Sequence, residues 1–135
     1  MTDWNRLQAP SLAELEAIAG AAYARLPARF RALTGDLLIR VEDFPEDEVL
    51  NSLRIESPFD LLGLYSGTDL SRKSVTDVSS EPDMVFLYRR PILDYWAEHE
   101  ETLGAILTHV LVHEIGHHFG LSDADMERIE AEVAR

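Results

Sequence analysis

The sequence predicts an α+β domain, on three observations. Helical periodicity with capping signals occupies both ends of the chain, three β-rich runs bounded by turn residues lie between them, and no linker, repeat or low-complexity tract divides the 135 residues. A chain of this length builds one hydrophobic core, so residues 1–135 are expected to form a single domain.

Ser11 and Glu14 have the S-x-x-E form of a capping box, in which a hydroxyl and a carboxylate each satisfy a backbone N–H left over at a helix start. Leu12, Leu15, Ile18, Ala22 and Leu26 follow at helical spacing, which carries the first helix to about Pro27. "ARFRAL" continues helically and stops at Gly35. "DLLIRVEDF" reads as the first strand, and "EDEVLNSL" after Pro45 as a short acidic helix. "FDLLGLYSGTDL" reads as a second strand running into a glycine-containing turn, and "DMVFLYRRP" as a third, stopped by Pro91. The polar "SRKSVTDVSSEP" between them reads as a mobile surface connection. "PILDYWAEHE" suits a short helix with proline in its first turn, "ETLGAILTHVLVHEIGHHF" a long one ending at Gly120, and "DADMERIEAEVA" a last helix capped by Ser122 with Asp125.

Composition excludes several functions. Twenty-five acidic residues against 12 basic give a net charge of -13, a field that repels the phosphate backbone, so nucleic acid is not expected as a partner. No segment approaches the roughly 18 apolar residues of a membrane span, and the polar start "MTDWNRLQAP" lacks a signal-peptide core, so the expected location is cytoplasmic. Cysteine is absent, which leaves nitrogen and oxygen as the ligands for any transition metal.

Those ligands concentrate in "HVLVHEIGHHFGLSDADM", residues 109–126, where His113, Glu114 and His117 form H-E-x-x-H. At about 100° per residue, histidines four apart lie one turn apart on one helix face, where both imidazoles reach one cation. Glu114 lies about 100° around from His113, beside the metal rather than forced into its first shell, as a general base for an activated water requires. Leu103, Ile106, Leu107, Val110, Leu111, Val112 and Ile115 cover nearly the whole circumference of this helix, so it is expected to be buried on most sides, with no broad polar stripe.

A catalytic zinc takes a third protein ligand. Gly120 can turn the chain back toward the histidines and bring Asp123 to the ion, completing H-E-x-x-H-x-x-G-x-x-D, with Asp125 or Glu127 as the alternatives. With this composition H-E-x-x-H arises by chance about two times in a hundred, and the longer pattern about two in ten thousand. His109 would crowd the open coordination position and is expected in the core or in support of the ligands, and His118 and Met126 as packing residues.

From Leu37 to Met126, through "LLGLYSGTDL", "PDMVFLYRRPI" and "HEIGHHFGLSDADM", the chain resembles the small, single-domain bacterial zincin-like metallopeptidases. The resemblance implies a minimal zincin-like fold, a small mixed sheet on a buried metal-binding helix, with one zinc ion at His113, His117 and Asp123 and Glu114 as catalytic base. It implies peptide hydrolysis, with a peptide or unfolded protein as substrate; the alternative is a non-catalytic metal-binding or regulatory module on the same scaffold. In zincins a substrate strand pairs with a sheet edge, which either "DMVFLYRRP" or "FDLLGLY" could supply. Tyr65 and Tyr88 could stabilise an oxyanion, although amphipathic packing accounts for each.

Overall fold

The capping box forms as read: Ser11 Oγ accepts the Glu14 N–H and Glu14 Oε1 accepts the Ser11 N–H, both at 3.1 Å. It starts α1 (Leu12–Ala24), whose inner face is Leu15, Ala19 and Ala22, continued by Leu26. Leu12 overhangs the first turn and stays 39% exposed, so Ala19 takes the place on the buried face that the spacing gave to Leu12. The computed structural model describes residues 1–67 and 82–134. The connection "SRKSVTDVSSEP", apart from Pro82, and the turn at 68–70 lie outside the described residues.

Among the described residues the order continues with α2 (Ala28–Arg31), β1 (Leu38–Glu42), α3 (Asp47–Leu53), β2 (Gly63–Ser66), β3 (Met84–Tyr88), α4 (Arg89–Glu98), α5 (Leu103–His118) and α6 (Asp123–Val133). This is a mixed α+β fold of the minimal zincin-like kind. Short 3-10 turns at Trp4–Arg6 and Pro58–Asp60 were not legible; the second takes Phe59 and Asp60 out of the strand read from sequence. The third strand also ends three residues before Pro91. Arg89 and Arg90 already belong to α4, and Pro91 sits in its first turn, where no hydrogen-bonding N–H is required.

The sheet order is β1-β3-β2. β1 pairs parallel with β3, from Leu38 opposite Met84 to Glu42 opposite Tyr88, and β2 pairs antiparallel, from Gly63 opposite Leu87 to Ser66 opposite Met84. β3 is therefore central, which removes "DMVFLYRRP" as a substrate edge and leaves β2 of the two candidates.

α5 packs against α1 and α6 and against β2 and β3. Leu107, Leu111, Val112 and Ile115 are fully buried beside Leu15, Val85, Leu87, Ile92 and Met126. Each such side chain contributes about 1.5–3 kcal/mol on burial, so α5 is the central strut of the core. The helix nevertheless keeps one open stripe, contrary to expectation: Ala105, His109 and His117 are exposed, and His113 between them is partly so. Among the described residues no helix is long and apolar enough to cross a membrane.

Candidate metal and catalytic site

Two local devices place the site. Thr102 Oγ1 accepts the Ala105 N–H at 3.1 Å and starts α5. At its other end Gly120 adopts φ +74°, the Gly120 N–H bonds to His117 O at 3.2 Å, and the Leu121 N–H bonds to Gly116 O at 2.8 Å. These two bonds are a Schellman turn, which reverses the chain within three residues as the glycine suggested. Ser122 then caps α6, its Oγ accepting the Asp125 N–H at 3.1 Å.

α6 runs back along α5 in close contact. A Cβ on Gly116 would come within 2.8 Å of Met126 Cγ, and Met126 is fully buried, so the absence of a side chain at 116 lets the two helices touch. Met126 is a packing residue, as expected.

The motif residues take distinct places. His113 and His117 stand one turn apart with ring centroids at 5.6 Å and planes at 78°. Burial first, then the neighbouring His109, hold the His113 imidazole below its ordinary pKa, while Glu130 and Asp123 pull the other way. A neutral imidazole at pH 7 has a free lone pair for a metal. Glu114 faces the sheet, with its carboxylate beside the backbone N–H of Tyr65. Burial raises its pKa above the usual glutamate value, against the lowering effects of the His117 imidazole and that N–H. Glu114 is thus a carboxylate of increased basicity, flanking the histidines from the strand side.

Asp123 is the first residue of α6 and is close enough to favour the charged form of His113. Among the described residues, however, the set whose ligand atoms all lie within 4.8 Å of one another is His109, His113 and Glu130, not the motif set. Glu130 Oε1 lies 2.8 Å from His109 Nδ1 and 3.3 Å from His113 Nε2. The His109 side chain is 57% exposed, so it is not a core residue; it faces α6 instead. Of the two alternatives for the third ligand, the Asp125 carboxylate is engaged by the Ser122 N–H and by Arg128, and Glu127 is exposed, as Asp123 itself is.

Sequence reading missed Glu130. It lies seven residues after Asp123, two turns along the same face of α6. That spacing is the signal that could have found it.

The neighbouring aromatics pack within or against the core. Tyr65 donates to Asp83 Oδ2 at 2.5 Å, stacks on His118 at 4.0 Å and meets Phe119 edge-on at 5.8 Å. His118 is thereby a packing residue. Tyr88 is 2% exposed, and burial first, then Glu42, Glu46 and Glu114, push its hydroxyl up to about 12.

A buried helix bearing H-E-x-x-H, turned by a glycine into a carboxylate-bearing helix under a small mixed sheet, defines the zincin class. The profile of the zincin-like metallopeptidase family matches residues 34–133, and the chain belongs to that family. No curated protein matches the chain.

Proposed function

We propose that the protein is a zinc-dependent peptidase in which His113, His117 and Asp123 hold one zinc ion and Glu114 is the general base. The observation that carries this reading is Glu114: a half-buried carboxylate of raised basicity, beside the Tyr65 N–H and flanking His117, has no role in a purely structural metal site. The donor chemistry fits zinc, since two imidazoles and a carboxylate are preferred by this borderline ion over magnesium or calcium. When bound, the ion would supply Lewis acidity, polarising a carbonyl and lowering the pKa of water toward about 7.

The chain's own residues do the rest. Glu114 takes a proton from the attacking water and returns it to the leaving amine nitrogen, and the Tyr65 N–H keeps the carboxylate aimed while it does so. Tyr65 is committed to Asp83 through its hydroxyl, so its part is to position Glu114 through its backbone. The edge of β2, unpaired on its outer side among the described residues, suits an extended peptide, which favours short or locally unfolded segments as substrates.

The test is Glu114→Gln. Removing a general base of this kind lowers turnover by about 10²–10⁴-fold. The variant is expected to cleave a peptide library at that reduced rate while holding as much zinc as wild type. Equal cleavage by the two proteins would overturn the mechanism and favour a metal-holding binding module.

A further inference from the structure

Between the open stripe of α5 and the facing side of α6, three ligand atoms converge, one of them from a histidine of the H-E-x-x-H pair. We infer that His109, His113 and Glu130 form a second divalent-cation site, mutually exclusive with the motif site because both need the His113 imidazole. Its consequence for activity rests on the peptidase reading above; the site itself does not.

The first observation is geometric. Metal–ligand bonds of about 2.0–2.2 Å in a tetrahedral site put neighbouring ligand atoms roughly 3.3–3.5 Å apart. The three atoms all lie within 4.8 Å of one another, and the edges from Glu130 Oε1 to His109 Nδ1 and His113 Nε2, 2.8 Å and 3.3 Å, lie below and at the lower end of that spacing. Small side-chain adjustments would seat an ion among them.

The second is the state of the carboxylate. Glu130 Oε1 is shielded from solvent and receives no hydrogen bond of acceptable geometry, although two ring nitrogens stand beside it. A buried carboxylate oxygen left in that state carries an unmet desolvation penalty. A cation among the three atoms removes the penalty and uses both imidazole lone pairs. Two nitrogens and one oxygen select zinc or a similar borderline ion, such as cobalt(II) or nickel(II), over magnesium or calcium.

The third is access. His109 and Glu130 form one wall of an open groove of about 580 Å³ between α1, α5 and α6, whose other walls include Ile18, Ala21, Ala105 and Thr108. An ion reaches His109 and Glu130 from this groove without passing β2 or Glu114.

The helical hairpin thus presents three imidazoles on α5 opposite two carboxylates on α6, with His113 in the middle belonging to both sets. Glu114 interacts with His117 and Tyr65, at the motif end. An ion held at the other end leaves Glu114 with no activated water, so the protein is loaded but inactive.

Zinc binding to the whole protein tests this, by calorimetry and by the cobalt(II) absorption spectrum, with circular dichroism to show that each variant is folded. His117→Ala/Asp123→Ala breaks the motif set, His109→Ala/Glu130→Gln breaks the new one, and the quadruple variant breaks both. The first double variant is expected to bind zinc stoichiometrically with a tetrahedral cobalt spectrum, and the quadruple variant to bind none. If the folded first double variant binds no zinc, or binds no better than the quadruple variant, there is no second site and Glu130 is a carboxylate paired with protonated histidine. Zinc binding by the second double variant reports on the motif site alone, so failure of either set is seen separately.

Discussion

Replacing Gly120 with alanine tests the turn on which the arrangement of α5 and α6 depends. A Cβ at this position meets nothing within 4 Å, so the substitution adds no clash and removes no contact. What remains is the backbone: φ is +74°, and a left-handed conformation costs an L-residue about 1–2 kcal/mol. The smaller entropy of the unfolded alanine chain returns about 0.4–1 kcal/mol. The net is a loss of about 1 kcal/mol, or roughly 3–5 °C in Tm for a domain of this size. Gly20 provides the internal control, because it lies within α1, also has open space where a Cβ would be, and has no left-handed φ. The same chemical change there is expected to stabilise by about 0.5–1 kcal/mol. Urea unfolding of the two variants therefore gives shifts of opposite sign. A Gly120→Ala protein as stable as wild type would refute the argument that this glycine is held in a strained turn.

Met126→Ala empties a fully buried site between α5 and α6 and is expected to cost about 2–5 kcal/mol, whereas Met126→Leu, which nearly conserves volume, stays under about 1.5 kcal/mol in the same urea assay. Tyr88 gives an alkaline signature. Its ordinary value of 10.0 is raised to about 12 in the fold, so between these pH values the native state keeps a proton that the unfolded state has released. Its contribution to stability is complete below pH 10 and drains away as pH rises through 12; Tyr88→Phe is expected to flatten that part of the stability–pH curve, and an unchanged slope would assign the loss to other groups.

The H-E-x-x-H pair was legible because its geometry is local: helical spacing alone sets His113 and His117 on one face and Glu114 to the side. The turn at Gly120 was legible for the same reason, since a glycine just past a helical run marks a left-handed cap. The pairing of β1 with β3 was not, because it joins residues about 46 positions apart and no local pattern encodes which strand lies in the middle. The approach of Glu130 to His109 was missed for a related reason. Their meeting depends on how far α6 runs back along α5, which is set by the contact of Gly116 with Met126 rather than by any motif. The stripe left open on α5 was hidden by the abundance of leucine and valine around it, which cover the other faces but not the line through 105, 109 and 117.

Every proposed metal donor lies between residues 109 and 130, on one helical hairpin, whereas the backbone N–H beside Glu114 comes from a strand 49 residues earlier, at Tyr65. Closing a short hairpin costs little chain entropy, and contacts of low sequence separation form early in folding. Metal affinity and base alignment are therefore assigned to structures with different folding demands. Under the proposed mechanism, changes in the sheet can misdirect Glu114 and leave the donors in place, so loss of turnover with full zinc occupancy is the failure this architecture makes easiest.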